Sequence, residues 1–318
     1  MNPVKPIIAE SVLQSTDRLA EGYQTALPFR HLVIDDFFQP EFCARLVKDF
    51  PPFNERLAMN EDGKVGAKCT HEHLTELGEP WREVDRMIQS RPFLDWLGQV
   101  AGIEQLLYDP HYFGGGTHEN RHGQDLDPHV DFNRHPVTGW HRRLNLIVYL
   151  NEHWDSAWGG AIEFHSDPRL PPDQNQIRLV QPLMNRAVVF ETTHWSWHGF
   201  ERINLPLGDQ DPRSRKSVAL YFYSLDRPPE EQVKPHSTIY VERPLPAQIQ
   251  PGVMLSEADH AEILRLLGRR DQHLQRLYGY IADLNQQLED SRPHVQTSIY
   301  RRLRALGGRV LRRLGLRH

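Results

Sequence analysis

His129-Val-Asp131 sets an imidazole and a carboxylate two residues apart, ahead of a strand-like run at 144–150, and a further histidine, His198, follows the apolar run 187–191. Residues i and i+2 of an extended chain point to the same side, so both groups of the pair can reach one ion. His198 lies 67 residues beyond Asp131, and it joins them only if the strands fold back on one another in a sandwich or barrel. Two histidines and one carboxylate on one side of a metal leave coordination positions open, the arrangement in which a non-haem iron(II) centre activates oxygen. A lone histidine-x-aspartate pair is a weak signal, because a solvated strand carries one by chance. The weight falls on the elements that have to position it.

Those elements have the spacing of an all-β fold. Runs at 144–150, 160–165, 177–180, 187–191 and 217–224 are short, rich in β-branched and aromatic residues, and separated by Gly159, Pro168, Pro171 and Pro172, the signature of a sandwich or barrel. Upstream, residues 31–38 read as a strand, and Pro40 opens a helix with Phe42, Leu46 and Phe50 on one side. Val84, Ile88, Phe93, Leu97 and Val100 predict two helices between 81 and 107, with Pro92 starting the second. Residues 1–29 read as a loose or partly helical lead-in. The stretch 112–127 contains Gly114, Gly115 and Gly116 in succession, which predicts a mobile loop rather than a regular element.

Four segments in order, HVDFN at 129–133, LNLIVYLNEHWDSAWGGAIEF at 144–164, RAVVFETTHWSWHGF at 186–200 and RSRKSVALYFYS at 213–224, together resemble the iron- and 2-oxoglutarate-dependent dioxygenases, in their prolyl 4-hydroxylase-like branch, over about residues 108–226. The resemblance implies a mainly β domain at 30–226, a double-stranded β-helix of the jelly-roll, cupin-like kind with flanking helices. It implies His129, Asp131 and His198 as iron ligands, with His194 the local alternative to His198. It implies Fe(II), 2-oxoglutarate and O2 as the reacting set, with ascorbate as a candidate addition. The implied reaction hydroxylates an unactivated C–H bond and yields succinate and CO2. Related halogenases replace the carboxylate ligand with a small residue; Asp131 is retained here, which favours hydroxylation and leaves desaturation and ring formation open.

The family also needs a cation for the distal carboxylate of 2-oxoglutarate, and Arg215 matches that position. Alternation along its strand puts Arg215, Ser217, Ala219 and Tyr221 on one face, and a guanidinium beside a hydroxyl suits a carboxylate. Arg213 and Lys216 are alternatives that read better as solvated charges. Asn145, Ile147 and Tyr149 share a face of the neighbouring strand; the resemblance implies that Tyr149 offers its phenol to the co-substrate, with Asn145 nearby. Tyr112 reads equally as substrate-side or core. His71, His73, His118, His122, His135, His141, His153 and His165 read as solvated or loop residues, Gly159-Gly160 as a close turn, and Trp140, Arg142 and Arg143 as a rim for an acidic or sugar-like partner or as exposed charges. Within the branch, substrates range over prolyl residues in peptides, amino acids, saccharides and other small molecules, and nothing in the motif separates them. Two other readings compete: a cupin-like metalloenzyme without 2-oxoglutarate, which leaves Arg215 without a purpose, and a non-catalytic scaffold or sensor, against which the complete ligand set argues.

Composition sets the outer bounds. The chain has 318 residues, with 37 Lys+Arg against 42 Asp+Glu for a net charge of −5, and 39% hydrophobic content, enough to bury a core. No apolar run is long enough to span a membrane and the opening residues do not read as a secretory signal; with Cys43 and Cys69 as the sole cysteines, a reducing cytoplasm is the expected compartment. Prolines 228, 229, 235, 244, 246 and 251 mark a linker at 227–254. From 255 to 318 a helical unit is expected, opening on the capping pattern Ser256-Glu-Ala-Asp259, with Leu267, Leu274, Leu277, Ile281, Leu284 and Leu288 near heptad spacing and so a candidate coiled coil and homodimer contact. Arg301, Arg302, Arg304, Arg309, Arg312, Arg313 and Arg317 surround a final apolar stripe, which suits peripheral contact with an anionic membrane. No aromatic interleaving accompanies these arginines, so nucleic acid is not an expected partner.

Overall fold

The computed structural model describes residues 3–59, 65, 68–206 and 213–291. The arginine-rich tail and its membrane expectation lie outside the described residues. Two compact units divide at Pro251 and Gly252.

The first unit opens with α1 (Glu10–Gln14), α2 (Thr16–Thr25), β1 (His31–Ile34) and α3 (Pro40–Lys48). It continues through β2 (Cys69–His71), α4 (Glu79–Gln89), α5 (Arg91–Ala101), β3 (Leu107–Tyr108), β4 (Gly116–Asn120), β5 (Leu126–Val130) and β6 (His141–Tyr149). It ends with β7 (Ile162–His165), β8 (Ile177–Val180), β9 (Ala187–Glu191), β10 (Trp197–Phe200), β11 (Arg215–Ser224) and β12 (Ile239–Tyr240). The strands form two antiparallel sheets, a larger one in the order β1-β9-β6-β11-β4-β2 with β3 on β11, and a smaller one in the order β12-β5-β10-β7-β8.

Alternation divides the labour of the larger sheet. Leu144, Leu146, Val148, Val218, Leu220 and Phe222 pack outward in one core with Phe37, Phe38, Trp81, Phe93 and Leu97 from the helical layer. The lead-in belongs to that core through Ile8, Val12, Leu19 and Tyr23, so it is an integral layer and not a loose one. Each such apolar side chain contributes about 1.5–3 kcal/mol on burial. The opposite face points at the smaller sheet, where Tyr149, Phe164, Val188 and Phe190 form a second cluster. Polar residues on that inner face are the ones available for chemistry.

The glycine-rich stretch departs from the loop expectation, because β4 and the start of β5 lie within it. Gly116 is the reason: its φ is +92°, and a Cβ there would stand 2.0 Å from the carbonyl oxygen of His71. Only glycine lets β2 approach and pair with β4. The proline-rich stretch likewise does more than connect. It adds β12 to the smaller sheet, with Tyr240 opposite His129, and Arg243 pins its end through Glu163 and the carbonyls of Leu126 and Phe200.

The second unit is described as one helix, α6 (Glu257–Ser291), whose entry is capped as the sequence pattern indicates: the Asp259 amide donates to Ser256 Oγ at 3.1 Å and the Ser256 amide to Asp259 Oδ2 at 3.0 Å. Leu267, Leu274, Leu277, Ile281, Leu284 and Leu288 are exposed. Among the described residues no helix is long and apolar enough to cross a membrane.

Candidate metal and co-substrate site

Residues far apart in sequence meet because β5 and β10 are neighbours. His129 and His198 stand directly opposite each other across that antiparallel pair, with ring centroids 4.3 Å apart. Asp131, just past the end of β5, completes a set whose ligand atoms all lie within 4.8 Å of one another, the group of metal-ligating character found among the described residues. His129 Nε2 is 3.8 Å from Asp131 Oδ1, and His198 Nε2 is 3.6 Å from Oδ2. Those separations are too long for hydrogen bonds and suit donors sharing an ion.

The imidazoles are oriented by their own backbone. Nδ1 of His129 lies 2.9 Å from the carbonyl oxygen of Asp127, and Nδ1 of His198 lies 2.9 Å from that of Ser196. Carbonyls accept only, so each Nδ1 carries the proton and each Nε2 presents a lone pair inward. Burial, reinforced by the neighbouring His198, pushes the His129 imidazole down to about 3; burial also lowers His198. Both are neutral and ready to ligate. For Asp131 burial opposes ionisation, but the Arg142 guanidinium, with His198, His129 and Asn145, outweighs it and holds the carboxyl well below the usual range. The donor set therefore fits a divalent ion in its ligating protonation state without further change. Side-chain exposure is 12% for Asp131 against 6% for His129 and 8% for His198, which leaves the carboxylate side as the approach from solvent. His194 lies 4.4 Å from the Trp195 ring, centroid to centroid, and is not part of the cluster.

A buried cation lies on the same inner face. Arg215 is buried; its Nη2 donates to the Tyr149 phenol oxygen at 3.1 Å and its Nε to the Gly160 carbonyl oxygen at 2.7 Å. Its guanidinium lies over the rings of Phe200 and Tyr149. Among the described residues no carboxylate comes within ion-pair distance of it, and burial alone pulls its pKa down. An uncompensated buried cation is costly unless a ligand supplies the anion. Gly160, expected only to turn the chain, makes room for it: its φ is +70° and a Cβ there would stand 3.3 Å from Arg215 Cδ. Ser217 sits between Tyr149 and His118 in the strand register, buried on the same row.

Other expected residues are placed differently. Asn145 stands at the metal end instead of the Arg215 end: its Nδ2 donates to Asp131 Oδ2 at 2.7 Å, while its Oδ1 accepts from Arg142 at 2.8 and 3.1 Å. Lys216 turns away toward Phe50, and Arg213 lies over Trp158. Tyr112 is a core residue whose hydroxyl donates to Asp85 at 2.7 Å. His118, His135, His141 and His165 are buried, not solvated; His135 accepts the amides of Val137 and Thr138, and His118 faces the site.

The largest departure concerns Arg142. It is not a rim charge but a fully buried one, 1% exposed, with Nη2 at 3.1 Å from Asp131 Oδ2 and its guanidinium between the rings of Tyr221 and Phe132. A bulge brings it inward: the pairing of β6 with β11 slips between Phe222–Leu144 and Tyr223–Arg142, so strict alternation fails there. Tyr240 is the other unforeseen contact, stacked on His129 with centroids 5.0 Å apart and planes at 26°.

A family model described as the 2OG-Fe(II) oxygenase superfamily matches residues 115–223, the span from β4 to β11 that contains the triad and Arg215. That matched span is about a third of the chain, and over it the chain is similar to the 2OG-Fe(II) oxygenase superfamily. Over 234 residues it is 26% identical to mouse prolyl 3-hydroxylase OGFOD1, covering 69% of this chain and 36% of that protein; the chain spans about a third of that relative's length. Similar solved structures include a Trichoplax adhaerens prolyl hydroxylase in complex with a hypoxia inducible factor peptide, at 13% identity over 68% of this chain and 93% of that one with a TM-score of 0.44. A Phytophthora capsici prolyl 4-hydroxylase aligns at 19% identity over 83% of this chain and 72% of that one, with a TM-score of 0.43.

Proposed function

We propose that the protein is an Fe(II)- and 2-oxoglutarate-dependent dioxygenase that hydroxylates an unactivated C–H bond, with a prolyl residue of a peptide as the first substrate class to examine. The observation that carries this reading is the uncompensated Arg215 guanidinium on the same inner face as the metal-ligating triad. A cupin-like metalloenzyme without 2-oxoglutarate has no use for a buried cation awaiting an anion. His129, Asp131 and His198 hold the ferrous ion, and Arg215 and Tyr149 receive the distal carboxylate of the keto acid, with Ser217 beside them. When bound, iron and keto acid supply the oxidising power that side chains lack. The chain's own task is to fix the ligand geometry, exclude water from the Arg215 end and leave the Asp131 side open to substrate. The relatives' prolyl hydroxylase names support the substrate class. Leu267, Leu274, Ile281 and Leu288 recur every seven residues on α6, as do Leu277 and Leu284, which fits a coiled-coil pairing with a second copy.

The direct test is succinate formation by the purified, iron-loaded chain over a panel of prolyl peptides, with Asp131→Ala and His198→Ala as controls. The reading requires peptide-stimulated succinate that disappears in both variants while their circular dichroism is retained. Undiminished turnover in either variant refutes the ligand assignment.

A further inference from the structure

Lys68 is the residue immediately before β2, upstream of the segment matched by the family model. The pairing of Thr70 with His118, of His118 with Ser217 and of Ser217 with Tyr149 carries one row across the larger sheet from β2 to the co-substrate pocket. Lys68 Nζ lies against His118, 3.1 Å from Nε2 and 3.4 Å from Nδ1. The two ring nitrogens flank a single carbon, so near-equal distances put the ammonium against the ring and off the lone-pair axis of either nitrogen. Nε2 is also 3.1 Å from the Gly114 carbonyl oxygen, an acceptor, so Nε2 carries the proton and cannot accept from lysine.

Among the described residues the ammonium thus meets no oxygen acceptor. Asp131, Arg142, Glu72 and Arg215 are the charges that act on Lys68, so charged groups of the metal end and of the Arg215 end both lie near it. Among the described residues neither acid forms an ion pair with it. Asp131 is engaged by Arg142 and Asn145, and Glu72 accepts the Gly114 amide at 2.8 Å. Burial pulls the ammonium down to about 8, with Asp131 opposing that shift, so it is still mostly charged at neutral pH. A desolvated cation with unused donors, facing a second uncompensated cation, calls for a ligand that is anionic at more than one point.

We propose that Lys68 is a second cation of the co-substrate site, donating to the carboxylate at the chelating end of the 2-oxo acid while Arg215 and Tyr149 hold the far carboxylate. This rests on the 2-oxoglutarate reading above. It adds to the site a residue from the helical half of the chain, outside the matched domain, and makes Lys68 a determinant of keto-acid affinity independent of the distal carboxylate.

The test is calorimetric titration of the Mn(II)-loaded full chain, in which no turnover occurs, with 2-oxoglutarate and with 2-oxobutyrate, a keto acid lacking the distal carboxylate. Wild type, Lys68→Met, Lys68→Arg and Arg215→Ala are compared after their Mn(II) affinities have been measured by electron paramagnetic resonance. Lys68→Met is expected to weaken both acids by roughly tenfold or more, the scale of a charge-assisted hydrogen bond, with Mn(II) affinity unchanged. Lys68→Arg keeps most of the affinity, and Arg215→Ala weakens 2-oxoglutarate while sparing 2-oxobutyrate. Equal binding of both acids by Lys68→Met and wild type, or loss of 2-oxoglutarate binding alone in Lys68→Met, overturns the assignment. Failure of wild type to bind 2-oxoglutarate at all defeats the functional reading instead.

Discussion

Replacing Arg142 with methionine removes the counter-charge of a metal ligand while keeping an apolar chain between Tyr221 and Phe132. Asp131 is left with Asn145 as its hydrogen-bond donor on Oδ2, and Asn145 Oδ1 loses both guanidinium contacts, at 2.8 and 3.1 Å. Removing one partner of a buried ion pair costs about 3–5 kcal/mol. At about 2–4 °C per kcal/mol for a domain of this size, the metal-free variant unfolds roughly 6–20 °C below wild type. A divalent ion at the triad supplies the charge that the guanidinium gave, so Mn(II) raises the unfolding temperature of Arg142→Met by more than it raises wild type. The double variant Arg142→Met/Asp131→Asn, which removes both charges, loses less than the sum of the two single changes. Differential scanning calorimetry at neutral pH, with and without Mn(II), reads all three. A metal-free Arg142→Met that unfolds within about 2 °C of wild type, or gains no more from Mn(II), refutes the idea that this guanidinium holds the carboxylate in its ligating state.

Tyr240→Ala removes the ring stacked on His129 and is expected to weaken Mn(II) binding on the order of tenfold, as loss of an outer partner of a ligand does; an unchanged affinity by electron paramagnetic resonance makes the stack incidental. The buried histidines set a pH dependence. Burial lowers His31 and His135, and His118 well below the ordinary value, whereas in the unfolded chain they take up protons near 6.5. Their contribution to stability is complete above about pH 6.5 and is lost as pH falls below it, because the unfolded state then binds protons that the folded state refuses. The urea midpoint of the metal-free chain should accordingly drop between pH 7.5 and 5.5; a flat or rising midpoint contradicts the burial of these rings as neutral groups.

The strands 177–180 and 187–191 and the start of the second of the two upstream helices were legible because local pattern and burial agree there: turn residues bracket β-branched runs, and Pro92 sits where a helix begins. The meeting of His129 with His198 was legible only through order of segments, since it depends on β5 and β10 becoming neighbours. Arg142 reads as a rim charge because the strand-like run begins at 144; the strand in fact starts at His141, and the bulge opposite Tyr223 turns the guanidinium inward. Lys68 and Tyr240 come from β2's entry and from a proline-rich stretch whose local sequence says nothing of a pocket; each arrives by strand pairing over long separations. The glycine triplet misled for the opposite reason: Gly116 reads as a breaker, yet its lack of a side chain is what permits two strands to pair.

The proposed function requires a ferrous ion and a keto acid side by side, held by His129, Asp131, His198 and Arg215. Anaerobic addition of Fe(II) and then 2-oxoglutarate, followed by visible absorption, tests that arrangement directly. The expected result is a metal-to-ligand charge-transfer band that requires both additions, vanishes in Asp131→Ala, and in Arg215→Ala needs a higher keto-acid concentration to develop. A wild-type protein that binds Fe(II) yet shows no such band at saturating 2-oxoglutarate contradicts the proposed function.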